Sequence, residues 1–148
     1  MGRYVFLLHD WVLLLISTKS KIRNPREGHV EEKKYDLEER TLRFLKNTIT
    51  FIRKNPKDFV NVELGRQLVR SVGSVGANYR EANDAISKKD FLFRIKICRK
   101  EAKESQFWLL AFECEKKLED ERKLLLQEAS ELSRIYGSMV RNVESKQP

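Results

Sequence analysis

Four lysines at helical spacing, Lys89, Lys96, Lys100 and Lys103, and three carboxylates set among apolar residues, Glu81, Glu101 and Glu104, are the side chains best suited to chemistry. Lysines on one helix face engage phosphates as point charges and read no sequence. Glutamates inside a helical pattern either carry shifted pKa values for proton transfer or pair with lysines and arginines in a structural network. The partners that would make an enzyme of them are missing. Both histidines, His9 and His29, fall in an N-terminal stretch that reads differently from the rest, so the helical part has no imidazole base. No Glu-x-x-His pair suits a di-iron centre. The GSVG at Gly73–Gly76 lacks the Lys-Ser/Thr of a phosphate loop. Cys98 and Cys114 have neither zinc spacing nor a disulfide framework. They read as small apolar fillers in a reducing compartment, and the cytoplasm is expected. The expectation is a protein with no catalytic residues, no metal and no cofactor.

The elements that position these residues are helical. At 148 residues the chain suits one domain, and 35% charged residues with three prolines and six glycines favour a soluble all-α protein. From Tyr35 onward four amphipathic patterns follow one another. The first sets Leu42, Leu45, Ile49 and Ile52 on one stripe, with Phe44 and Phe51 alongside, and Asn55-Pro56 ends it. The second buries Leu64, Leu68, Val72, Val75, Tyr79, Ala82 and Ile86. Ser87 then reads as an N-cap, with Asp90 in the first turn. The third carries Phe91, Ile95, Cys98, Ala102, Ser105, Leu109 and Phe112 at alternating steps of four and three. A polar turn at Lys117–Asp120 leads to the fourth, with Leu125, Ala129, Leu132, Tyr136, Met139 and Val143. Short connections between long helices predict an antiparallel up-down-up-down four-helix bundle over residues 35–148. Gly65, Gly73 and Gly76 inside the second helix each cost about 0.8–1 kcal/mol against alanine, and close approach of another backbone would offset them.

Advancing 100° per residue sorts the third helix into faces. Lys89, Lys96, Lys100 and Lys103 point away from the seam, with Arg99 at one edge and Phe107 among them. This is either a phosphate-binding stripe or an ordinary solvated face. Phe93, Ile97, Trp108 and Ala111 form a second apolar flank with Glu101 and Glu104 among them. A second stripe on one bundle helix implies subunit association, unless the first helix caps a wide core there.

Residues 1–34 have a different character. Val5–Ile16 is apolar but far short of the roughly 20 residues of a membrane span, and His9 and Asp10 interrupt it. It lacks a small-x-small cleavage site, and the following polar stretch reads as disordered linker. Two readings stand: a native tail with an interfacial apolar plug, or a non-native extension. For the second, Arg26-Glu27-Gly28 can be encoded as AGG-GAG-GGN, which resembles a ribosome-binding site ahead of a GTG start at Val30.

The run SVGSVGANYREANDAISKKDF followed by IKICRKEAKESQFWLLAF resembles the bacterial four helix bundle protein family, also called the 23S rRNA intervening-sequence protein or S23-like family. The likeness rests on Ser71 and Ser74 before Ala77-Asn78, then on Glu81, Ser87, Phe91, Glu101-Ala102 and Ser105. YDLEERTLRFLKNTI at Tyr35–Ile49 resembles the family opening, and the likeness covers residues 33–143. Asn83 replaces a glycine, and SVGSVG is unusually glycine-rich. The resemblance implies structural roles for Asn78, Glu81, Ser87, Phe91, Ala102 and Ser105, a cytosolic homopentamer and no catalytic residues. The chain is also similar to the accessory variability determinant of diversity-generating retroelements, which implies a basic pentameric barrel that binds nucleic acid and a reverse transcriptase.

With a formal net charge of +8, the residues and the resemblance together point to a non-enzymatic oligomer that binds nucleic acid, structured RNA above all. Lys89, Lys96, Arg99, Lys100 and Lys103 are the expected contacts; Phe93, Ile97, Glu101, Glu104, Trp108 and Ala111 are the expected subunit interface. The competing reading is a protein–protein scaffold that docks an enzyme such as a reverse transcriptase, with incidental affinity for nucleic acid. A membrane partner is not expected.

Overall fold

The first helix, α1 (Leu37–Lys54), opens with Glu38 and Glu39 and closes with Arg53 and Lys54, so each end carries the charge its backbone dipole favours. The Asn55 carboxamide donates to the Phe51 carbonyl at 2.8 Å, and Pro56 prevents continuation. In α2 (Phe59–Asn83) the Asp58 side chain accepts from the Asn61 amide. The Ser87 hydroxyl does the same for Asp90 at the start of α3 (Lys88–Ala111), as its sequence position predicts. A 3-10 turn at Lys116–Leu118 leads directly into α4 (Glu119–Glu144), whose first turn holds Glu119, Asp120 and Glu121. Of the predicted polar turn at Lys117–Asp120, Lys117 and Leu118 lie in that 3-10 turn, while Glu119 and Asp120 already belong to the helix. This is a computed structural model, and it describes residues 37–145. The readings of residues 1–34, including His9, His29 and Val30, lie outside the described residues.

Consecutive helices pack against one another, and α1 also meets α4, giving an all-helical bundle with no strand among the described residues. The α3 seam is buried over its full length from Phe91 to Phe112, and so is the predicted stripe of α4. In α2, Leu68, Val72, Val75, Tyr79 and Ala82 are buried, while Leu64 is only half-buried. Ile86 departs further, at 89% exposed. It lies beyond the end of α2 at Asn83, where the helical phase no longer aims it inward.

The first helix is turned relative to its sequence reading. Its buried face is Leu37, Thr41, Phe44, Thr48 and Phe51; Leu42 is 40% exposed, and Leu45, Ile49 and Ile52 are half-buried. Phe44 and Phe51 are both buried, and Phe51 packs on Phe112 with ring centroids 5.4 Å apart, which sets the phase of the helix. The threonines can share that face because their hydroxyls donate to backbone carbonyls: Thr41 to Leu37 at 2.8 Å and Thr48 to Phe44 at 2.9 Å.

The displaced stripe meets the glycines of α2. A Cβ on Gly65 would sit 3.1 Å from Ile52 Cγ2, and one on Gly76 would sit 3.3 Å from Thr41 Oγ1. Side chains of α1, rather than another backbone, fill the space those glycines leave.

Candidate functional site

The α2–α3 interface positions both faces of α3. Small residues on each helix allow a close approach: Ser105 Oγ hydrogen-bonds Ser71 Oγ at 3.0 Å, and Cys98 Sγ lies 3.5 Å from the Val75 carbonyl. Farther along, Asn78 donates to the Ser74 carbonyl at 3.0 Å and faces Arg94, which also pairs with Glu81. Phe91, Ala102 and Ser105 are fully buried. The family-motif residues therefore form a helix-packing device, with Ser87 as its cap.

On the opposite face Lys89, Lys96, Lys100 and Lys103 are all exposed. They differ in availability. Lys96 pairs with Glu144 of α4 at 2.8 Å, and Lys100 lies 3.6 Å from Glu101. Among the described residues Lys89 and Lys103 have no ion pair. Arg99 is half-buried and turns toward α4, its Nε 3.3 Å from where a Cβ on Gly137 would be. Phe107 interrupts the stripe at 61% exposed, edge-on to Trp108.

The other flank is half wet. Phe93 is 58% exposed and Ala111 is exposed, while Ile97, Glu104 and Trp108 are half-buried. Trp108 Nε1 donates to Glu104 at 3.2 Å, and the Arg94 guanidinium stands 5.9 Å from the Phe93 ring centroid. The Glu101 side chain is only 12% exposed, with Lys100 as its cation. The main packing partners of α3 are α2 and α4.

Sequence reasoning missed a second basic region. Arg43, Lys46 and Arg53 of α1 and Arg70 of α2 are exposed and make no ion pair among the described residues. The signal was their helical spacing on the side of α1 away from Phe44 and Phe51, obscured by the misphased aliphatic stripe. Arg40 plays a different part. It holds Glu128 through two hydrogen bonds at 2.7 and 2.8 Å and Glu131 at 2.7 Å, joining α1 to α4.

Among the described residues no group of three His, Cys, Asp or Glu could hold a metal, and no helix is long and apolar enough to cross a membrane. Burial pushes the Cys98 thiol up to about 12, which suppresses the thiolate. A strand-free four-helix bundle, joined by a small-residue seam and clad in exposed cations, defines a small helical-bundle class of protein. Within that class the model of the 23S rRNA-intervening sequence protein family matches residues 33–138, and the chain belongs to that family. It is also similar to a crystal structure at 1.70 Å resolution, from Bacteroides thetaiotaomicron VPI-5482, of a protein with unknown function from the S23 ribosomal protein family. The TM-score is 0.59 and the identity 25%, over 71% of this chain and 98% of that one. No curated protein matches the chain.

Proposed function

We propose that this chain is a non-enzymatic, homo-oligomeric protein of the cytoplasm that binds structured RNA through the outer face of α3. The observation that carries the reading is the exposure of Lys89, Lys96, Lys100 and Lys103 along one side of a single rigid helix. Fourteen residues at 1.5 Å each spread these ammonium groups over about 21 Å, a length that meets several phosphates. Arg99 lies at the edge of that face. Contacts of this kind recognise backbone shape and leave base edges unread.

The scaffold behind the face is an antiparallel up-down-up-down bundle. Its support is the descending register of two helix pairs: Ser71 with Ser105 and Asn78 with Arg94 for α2 and α3, then Arg40 with Glu128 and Lys54 with Glu121 for α1 and α4. The half-wet flank of Phe93, Ile97, Glu101, Glu104, Trp108 and Ala111 is the subunit contact, and a homopentamer is the assembly the family resemblance implies. Repeating the lysine face around a ring turns weak single contacts into avidity.

Replacing Lys89, Lys96, Lys100 and Lys103 with glutamine tests the reading. Affinity for a labelled RNA hairpin should fall by more than about tenfold at unchanged melting temperature; unchanged affinity refutes the site. A protein–protein scaffold is the second reading, favoured by Phe107 and Leu110, which are 61% and 62% exposed. A partner retained from lysate after nuclease treatment, and lost on Phe107→Ala, would support it.

A further inference from the structure

We infer that the cleft between α1 and α2 binds a free medium-chain carboxylate, its alkyl tail on the apolar walls and its head between Lys57 and Arg66. The site is separate from the α3 lysine stripe and depends neither on the RNA reading nor on self-association.

The cleft has a volume of about 440 Å³, within the roughly 300–1,000 Å³ of small-molecule sites. Ile52 of α1 and Val62 and Val69 of α2 line it, with buried Gly65 and Phe112 at its floor. Gly65 keeps that floor open. A Cβ there would lie 3.1 Å from Ile52 Cγ2 and 3.8 Å from Phe112 Cε2, so a side chain would stand among the residues that line the cleft. Val62 and Val69 are two helical turns apart, about 10 Å, which sets the tail at a medium length. Covering these walls with methylenes removes apolar surface from water, and a polar molecule finds little to bond there.

Charge selects the head group. The charged residues that line the cleft are Lys57 and Arg66, both cations and both exposed, and no described carboxylate lines it. Lys57 has no ion pair among the described residues, and Arg66 has only the exposed Glu63, at 3.5 Å. Arg53 and Arg70 follow Ile52 and Val69 in the chain; both are exposed, make no ion pair among the described residues, and add to the positive field. The neighbouring acid, Asp58, is engaged in capping α2, where it accepts from the Asn61 amide at 2.9 Å. The Asn61 carboxamide in turn donates to the Pro56 carbonyl at 3.2 Å, which pins the connection and places Lys57 at the mouth before a ligand arrives. A carboxylate between the guanidinium and the ammonium gains charge-assisted hydrogen bonds, and its plane suits bidentate pairing with Arg66. A cationic head group on the same tail would be repelled.

Isothermal titration of the full chain with sodium decanoate, kept below its micelle concentration, tests the inference. Saturable binding of one decanoate per chain is expected, weakening roughly tenfold for every two methylenes removed from the tail. Decyltrimethylammonium should bind about tenfold more weakly than decanoate, or less. Lys57→Glu with Arg66→Glu, both at exposed positions, should weaken decanoate binding by about tenfold or more at unchanged melting temperature. Val62→Asp, at a position 44% exposed, should weaken it from the apolar side. Absent or non-saturable binding overturns the inference, as does an affinity that ignores tail length. So does equal binding of decyltrimethylammonium, or a charge-reversed variant that binds decanoate like the wild type. Retention on phosphatidylglycerol vesicles without binding of free decanoate would assign these cations to a lipid surface and also overturns it.

Discussion

Arg40 and Glu131 show how single side chains tie the bundle and leave a pH signature. Hydrogen bonds from Gln127 and then from Arg40 hold the Glu131 carboxyl below the usual glutamate range. Glu119 is held low in the same way, first of all by Arg122. Between the folded and unfolded pKa values the unfolded chain binds more protons, so stability rises with pH across that window. The contribution is complete above the ordinary glutamate value of about 4.3 and disappears as pH falls through the lower folded value. Glu131→Gln should therefore lower the melting temperature at pH 7, and the difference should shrink as pH falls below the ordinary glutamate value. Circular-dichroism melts from pH 7 down through the acid range check it, and a difference that does not vary with pH contradicts it. The cysteines offer a second residue-scale prediction. Cys98 is fully buried with its thiol pushed up to about 12, whereas Cys114 is half-buried, its thiol raised by desolvation and by Glu119. A thiol reagent at pH 8 should modify one cysteine in the native protein, slowly, and two in denaturant. Rapid native labelling of both would contradict the packing at the α2–α3 seam.

At the scale of elements, the glycines of α2 are not equivalent. A Cβ on Gly73 would meet Leu45 Cδ1 at an ordinary contact distance of 4.0 Å, while one on Gly65 faces Ile52 Cγ2 at 3.1 Å. Gly73→Ala should stabilise the bundle by about 0.8–1 kcal/mol through helix propensity. Gly65→Ala should gain less or destabilise, because the Ile52 methyl must move; chemical denaturation measures both, and an equal gain at the two sites would contradict the α1–α2 contact. The seams of α3 and α4 were legible in the sequence because each helix has one regular run of buried residues from Phe91 and from Leu125. For α1 the sequence was ambiguous. Two apolar stripes compete there, and which one is buried depends on Phe112 across the core and on threonine hydroxyls that satisfy themselves locally. The outward direction of the lysines was readable from helical phase. That Lys96 is held by Glu144 was not, since only the fold brings the end of α4 beside α3.

For the whole molecule, the net charge of +8 matters through its arrangement. Cations lie on two separate surfaces, the α3 stripe and the outer sides of α1 and α2, and the proposed RNA contact uses the first. The most direct measurement of the central claim is binding of the full chain to a labelled RNA hairpin and to a matched DNA duplex across a salt series. The account predicts a preference for RNA and a logarithmic affinity that falls linearly with logarithmic salt concentration. The slope should correspond to several phosphates, at roughly 0.9 per contact for a duplex, and shrink when Lys89, Lys96, Lys100 and Lys103 become glutamine. A flat response, or a slope that the four substitutions leave untouched, would contradict the account and make the α3 stripe a solvated surface.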